Sequence, residues 1–350
     1  WICSDVWMDI LPSFDHAQLG LKMALLSYRF DALVDTHFDG KTELTIWKWI
    51  TIFKDKGPKP RLSVWIAGKF LDFPLPDRPL PNNVRFQCLQ IEYIDHSVLT
   101  FLHANKHIWD RSGTKLTLWP YRTEDEQRIW DVFIREIWPL FATNIRHLSF
   151  ASSVDLDNLR LRTSPTILTD LDQLHSIDSG HLCPDGIADF DVLNPTAGQV
   201  LSKWLHTPSK NGQPKRLRYS NFPLNLGWVN SFKEAFRRAI TSVSYHIQLY
   251  LFTTTMTTEP FELVNGRTNE KLTLKPSKEY NLVIWLLQRC PIGETSTAPV
   301  KWADQHENSG ANANLNNINF SLWIFNKTIG PLSPPAEEEN EEEADESNEN

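Results

Sequence analysis

His175, His181 and Cys183 fall within nine residues of one another, and imidazole and thiolate are ligand types that zinc favours. A structural zinc site needs a fourth donor at a fixed spacing, and none stands nearby. His103 and His107 lie four positions apart near an expected helix end. That spacing suits a metal but equally suits a cationic imidazole beside the last helix carbonyls. Ser179-Gly180-His181 lacks the strand-turn-helix setting of a nucleophile elbow. There is no G-x-x-x-x-G-K-[ST], no G-x-G-x-x-G and no H-E-x-x-H, and 14 glycines leave little material for a phosphate-cradling loop. The expectation is no catalytic set, no metal site and no cofactor, with a hydrolase or metal enzyme, resting only on the neighbourhood of His175, His181 and Cys183, as the remaining alternative.

Lys215, Arg216 and Arg218 on a strand-like run, with Arg237 and Arg238 on a following helix, suggest one modest basic patch. Without interleaved aromatic residues it would suit an acidic protein segment better than nucleic acid. From Glu337 onward the tail holds eight Glu and one Asp and no basic residue, so without it the net charge moves from -8 to about +1. A nearly neutral body lacks the dense basic surface of counterion-release binding, and the tail reads as a solvated, mostly disordered segment. No apolar run approaches the roughly 20 residues that span a bilayer. Neither nucleic acid nor membrane is therefore an expected partner. Cys3, Cys88, Cys183 and Cys290 are scattered, with no C-x-x-C pair, as in a reducing compartment such as cytoplasm or nucleus. The sequence begins at Trp1 rather than Met, so secretion stays open, and the sequons at Asn319 and Asn326 would matter only there.

At the N-terminus Val6, Trp7, Ile10, Leu11 and Phe14 recur at helical spacing, with Ser4 or Asp5 placed to cap and Pro12 to end the first helix. A second helix is expected after a capping box at Asp15 and Gln18, carrying Leu19, Met23 and Leu26 as far as Ser27. A third carries Phe30, Leu33, Val34 and Phe38 and stops at Gly40. With Leu21 and Leu25 on other faces, these three short helices hold more apolar side chains than so small a unit can enclose, so some of that surface must meet either the rest of the chain or another protein.

Residues 41–82 are β-rich and end in a joint of four prolines at 74, 76, 79 and 81. Beyond residue 83 a strand-turn-helix unit recurs, anchored by Leu89, Leu118, Leu148 and Ile177 at spacings of 29, 30 and 29, with a further strand at Leu217. The expected helices are 97–102, 124–140, 156–168 with a proline break, 200–205 and 228–239. Units of this length suggest a leucine-rich-repeat-like domain of stacked parallel strands, with an ordinary open α/β sheet as the competing architecture. Strict alternation at 243–251, then strand patterns at 261–264, 271–274 and 282–287, predicts an antiparallel close. The fold class is thus α/β (mixed α+β), in four parts: 1–40, 41–82, 83–292 and a polar, acidic 293–350, with a returning strand expected near 320–325.

Val6, Ile10, Leu11, Leu19, Leu21, Met23, Leu25, Arg29, Phe30 and Leu33 stand in an order that resembles F-box domains. The phrases LGLKMALLSYRFDALVDTHF, LHSIDSG and LVIWLLQRCPI resemble an expanded family of nematode F-box proteins. FELVNGRTNEKLTL followed by LLQRCP is similar to the closing strands of that family's α/β region. The resemblance runs from Trp1 to about Ile292. It implies a non-enzymatic substrate receptor of an SCF ubiquitin ligase. Val6, Ile10, Leu11, Leu19, Leu21, Met23, Leu25 and Phe30 would then bind a Skp-type adaptor, and through it a cullin, while residues 83–292 bind a target protein. The Leu-Pro pair common before the first F-box helix is absent and Pro12 sits in that helix's last turn, which motivates a second expectation, an interaction scaffold without ligase coupling.

Overall fold

The computed structural model describes residues 2–14, 19–39, 45–47, 49–66, 69–80, 84–86, 88–109, 113–120, 126–150, 152–180, 182–185, 195–210, 212–220, 227–250, 259–279, 282–293, 317–324 and 329–332. Among these residues thirteen strands form one sheet and two more, β1 (Thr45–Trp47) and β5 (Val84–Phe86), form a parallel pair. The large sheet contains β2 (Ile50–Phe53), β3 (Arg61–Ile66), β4 (Lys69–Pro74), β6 (Cys88–Ile91), β7 (Gly113–Pro120), β8 (Ile145–Phe150) and β9 (Ser176–Ser179). It continues with β10 (Lys215–Ser220), β11 (Tyr245–Tyr250), β12 (Phe261–Asn265), β13 (Glu270–Glu279), β14 (Leu282–Pro291) and β15 (Asn317–Ile324). Their order is β12-β13-β14-β11-β10-β9-β8-β7-β15-β6-β2-β3-β4.

Strands β2, β6, β15 and β7 to β11 are parallel, and antiparallel ribbons close both ends of the sheet. The mixed α/β class and the antiparallel close at β12 to β14 agree with the expectation. The β-rich stretch after residue 41 is no separate connector, because β2 to β4 extend the same sheet. The returning strand does not lie at an edge: β15 fills the slot between β6 and β7, eight residues of it in register with β7.

The register lines up one continuous row across all thirteen strands: Phe261, Leu274, Leu287, Ile247, Leu217, Ile177, Leu148, Leu116, Phe320, Leu89, Ile50, Val64 and Leu71. Leu116, rather than Leu118, is the residue opposite Leu148, two positions along the same face. Strands β7 to β11 follow chain order, and right-handed crossovers then put the helices between them on one face. Helix residues Trp130, Phe133, Leu156, Leu159, Leu201, Trp204 and Phe232 share a single core with Leu274, Leu287, Ile247, Leu217, Ile177, Leu148, Leu116, Leu89, Ile50 and Val64 of that row. Side chains one position away along each strand face the other way.

Three of the helices start at a side-chain cap. Asp95 accepts from the Val98 amide at 3.1 Å to open the helix His96–Ala104. Capping boxes Ser152/Asp155 and Thr196/Gln199 open Ser153–Arg162 and Ala197–His206. The expected helix 124–140 is broken into Glu126–Val132, a wide turn Phe133–Ile137, and Trp138–Phe141. Pro139 has no N–H to give to the turn before it, which accounts for the widening.

The N-terminal unit also departs in detail. Cys3, not Ser4 or Asp5, is the residue before the helix Ser4–Ile10, and its side chain makes no capping bond. Asp5 lies in the first turn, where its charge favours the helix dipole. Pro12 opens a 3-10 turn, Leu11–Ser13. In place of a regular second helix the described residues form a wide turn, Leu19–Met23, and a 3-10 turn, Ala24–Leu26. The extended Ser27 (φ -170°, ψ 164°) stops the chain there. Ser27 then receives the Phe30 amide on its hydroxyl, so the third helix, Tyr28–Asp39, begins two residues before Phe30. The expected capping box at Asp15 and Gln18, and Gly40, lie outside the described residues.

Candidate functional site

Leu11, Leu19, Ala24, Leu33 and Val34 form a small core of their own, separate from the core of the sheet, with Trp7, Met8, Phe14, Met23 and Phe30 packed around it. Trp7 and Phe30 meet edge to face with centroids 4.8 Å apart. Of the residues proposed to meet an adaptor, Leu11 and Leu19 are fully buried within that cluster. Met23 and Phe30 are half-buried against that cluster, and Ile10 is half-buried. Val6 is 45% exposed, and the side chains of Leu21 and Leu25 lie outside the described residues. Two residues not picked out for this role, Leu26 at 64% and Tyr28 at 87%, add to the open apolar surface. The unit is tied to the body by the Asp31–Arg78 ion pair at 2.5 Å, with the Arg78 guanidinium 5.3 Å above the Tyr28 ring and Lys22 5.3 Å above Phe73.

The second surface is the sheet face that alternates with the apolar row. In register across it stand Lys115, His147, Ser176, Arg216, His246 and Gln288, and beside them Thr117, Ser149, Asp178, Arg218 and Gln248. Asp178 is the hub. Its carboxylate lies 3.1 Å from His147 Nε2, 3.9 Å from Lys115 Nζ and 3.9 Å from Arg218 Nε. Burial alone would raise the Asp178 pKa, but His147, Arg218 and Lys115 outweigh it and hold the carboxyl well below the usual range. Burial lowers the His147 pKa against the opposing pull of Asp178, and the 3.1 Å approach of its Nε2 to the carboxylate is an ion-pair contact without hydrogen-bond geometry. An Asp–His pair is the arrangement that orients a general base, yet among the described residues no hydroxyl or thiol is hydrogen-bonded to this ring. Asp178 instead neutralises part of an otherwise cationic face that also carries Arg216 and Arg218.

The suggested basic patch is divided. Lys215 and Arg216 alternate along β10, so Lys215 points to the helices. There it is 4% exposed, donates to the carbonyls of Trp204 and Thr207 at the end of Ala197–His206, and lies over the Trp204 ring; burial brings its pKa down to about 8. Arg237 pairs with Glu234 on its own helix.

Of the suggested metal ligands only His175 and Cys183 are among the described residues. His181 lies outside the described residues, and the His175 Nδ1 sits 3.2 Å from the Gln173 carbonyl. Burial pushes the Cys183 thiol up to about 12, which disfavours the thiolate a metal would need. Among the described residues no three His, Cys, Asp or Glu side chains are grouped to hold an ion. His103 ends its helix exposed, while His107 belongs to the next turn, Lys106–Trp109, past the Asn105 cap. None of the four cysteines forms a disulfide, and no helix among the described residues is long and apolar enough to cross a membrane. A cleft of about 510 Å³ lies beside Arg289, His206 and the C-terminal half of the helix Gly227–Arg238.

The Asp178 cluster escaped the sequence reading, although three of its members stand next to a strand anchor: His147 precedes Leu148, Asp178 follows Ile177 and Arg218 follows Leu217. Polar residues beside regularly spaced anchors were the available signal. Comparison with models of known protein families, with curated proteins and with solved structures finds no match.

Proposed function

We propose that this chain is a non-catalytic substrate receptor of an SCF-type ubiquitin ligase. The N-terminal unit docks on a Skp-type adaptor, and through it a cullin. The body, with leucine-rich-repeat-like parallel strands in chain order, presents a surface to a target protein. Its contribution to the reaction is positioning, which raises the effective concentration of the target's lysines near the charged ubiquitin.

One observation carries this reading. The described residues 2–14 and 19–39 have a core of their own, distinct from that of the sheet, and still leave Val6, Leu26 and Tyr28 open to solvent. Apolar surface on a unit that has already closed its own core is surface for a partner. Co-purification of the full chain with a Skp-type adaptor tests it. Adaptor that fails to co-purify at micromolar concentrations would leave the reading without support.

A second reading, a scaffold without ligase coupling, is favoured by Leu11 and Leu19. Both turn inward, so fewer apolar groups are offered than the F-box resemblance implies. Adaptor affinity in the nanomolar to low micromolar range would remove it.

A further inference from the structure

The cleft beside Arg289 has a volume of about 510 Å³, within the roughly 300–1,000 Å³ of small-molecule sites. One wall is a face of the helix Gly227–Arg238, another is the loop 239–241, and Arg289 of β14 and His206 complete it. Ala235 and Ala239 give these walls an apolar lining, and Ile240 extends it as a side chain 79% exposed. Ala235 is buried, yet it does not belong to the core cluster of the sheet.

The polar groups of the cleft favour one sign of charge. Arg289, its side chain 2% exposed, gives Nε and Nη2 to Glu270 and Nη2 to the Thr241 carbonyl, and these bonds leave the two N–H groups of Nη1 unused. The fully buried Tyr245 hydroxyl, near enough to feel the Arg289 charge, has no hydrogen-bond partner. Burial brings His206 down to about 4, so its ring is uncharged at neutral pH. Glu270 balances Arg289, and Glu234 on the wall is balanced by Arg237, which does not line the cleft. Arg238 lines it, is exposed and enters no ion pair among the described residues, so the uncompensated charge is positive. A helix C-terminus ordinarily repels an anion, but here Asn265 already occupies the Phe236 and Ala239 carbonyls.

We propose that this cleft binds a carboxylate with an apolar body, the carboxylate oxygens accepting from Arg289 Nη1 and Arg238 while the body lies against Ala235, Ala239 and Ile240. Charge-assisted bonds from guanidinium to carboxylate are the strong kind. Glu270 and Thr241 already hold Arg289 in place, so little side-chain freedom is lost when the ligand arrives. A free aryl or alkyl carboxylate and the C-terminus of a peptide both offer this chemistry.

Amide NMR shifts of the 15N-labelled full chain test this, with phenylacetate, its neutral analogue phenylacetamide, and an N-acetylated tripeptide ending in a free phenylalanine carboxylate as the probes. Phenylacetate should shift amides in 230–241 and at Arg289 with a dissociation constant on the order of a millimolar or below, and phenylacetamide should bind about tenfold more weakly. Arg238→Gln should weaken phenylacetate about fivefold, and Ala235→Leu, which fills the cleft, should abolish its binding while the spectrum stays native. Lys233→Gln makes the same charge change on a side chain that stands over the Phe261 ring instead of lining the cleft, and should leave binding unchanged. A tripeptide that binds as tightly as phenylacetate, or more so, supports a peptide C-terminus as the ligand, and one that binds more weakly or not at all supports a small free acid. No shifts with phenylacetate at about 10 mM, shifts centred on other residues, equal binding of acid and amide, or Arg238→Gln no different from Lys233→Gln would each overturn the proposal.

Discussion

Arg289 on β14 and Glu270 on β13 are joined inside the protein by two hydrogen bonds, Nη2 and Nε of the guanidinium reaching Oε2 at 2.6 and 3.0 Å, with both side chains at most 2% exposed. The other carboxylate oxygen accepts from the Val243 amide at 2.9 Å and the Ser242 hydroxyl at 2.8 Å, and Arg289 also donates to the Thr241 carbonyl at 2.8 Å. The pair therefore pins the β12–β14 ribbon to the loop that leaves the helix Gly227–Arg238. Asn265 completes the joint by donating to the Phe236 and Ala239 carbonyls.

Removing one partner strands a buried charge. Glu270→Ala or Arg289→Ala should each cost about 3–5 kcal/mol, and the paired replacement by apolar residues of similar volume much less than the sum. Equilibrium denaturation of the three variants checks this.

The two separate cores predict that damage to one stays local. Leu11→Ala or Leu19→Ala should destabilise the N-terminal unit by about 2–5 kcal/mol and raise hydrogen exchange across residues 4–39, with β7 to β11 unchanged. Exchange that rises through the sheet as well would contradict it.

Acid should weaken the fold before its carboxylates titrate. Burial, helped by nearby cations, brings His206 (Arg289, Lys215) and His246 (Arg216, Lys275) down to about 4 from the ordinary 6.5. Between pH 6.5 and 4 the unfolded chain binds protons that the folded chain refuses, so stability falls as pH drops through that window and levels off below it. The limit is about 3 kcal/mol for each ring. Melting temperature measured from pH 7.5 to 4.5 should decline in this interval, with a smaller slope for His246→Asn.

Ser321 sits in β15 between Gln90 of β6 and Thr117 of β7. Ser321→Pro removes an amide from the centre of a parallel sheet, and the expected outcome is release of the strand and exposure of two unpaired edges. Hydrogen exchange should rise at residues 88–91 and 113–120, accompanied by aggregation. Unchanged protection in both strands would show that β15 does not belong there.

The apolar row was largely legible because it repeats: Leu89, Leu148, Ile177 and Leu217 each mark a parallel strand and all fall in one register. Alternation gave β11, and turn chemistry placed the ribbon that follows. The position of β15 was not legible, since its partners lie some two hundred residues away and strand pairing leaves no local trace. Nor was the Glu270–Arg289 pair, which depends on a hairpin register setting Leu272 opposite Arg289. His175, His181 and Cys183 drew notice by residue type, yet their chemistry depends on surroundings that spacing does not report. In the N-terminal unit the number of apolar residues was plain in the sequence. Which of them turn inward was not, because Leu11 and Leu19 lie in turns whose geometry departs from a regular helix.

The most direct measurement is the affinity of the full chain for a Skp-type adaptor, compared with Val6→Asp/Leu26→Asp and with Leu161→Asp, a control on the body whose side chain is 70% exposed. The ligase account predicts low-micromolar or tighter binding by the native chain and the control, and at least a hundredfold loss in the double variant, equivalent to about 2.8 kcal/mol. No binding by the native chain, or equal binding by all three proteins, would contradict it.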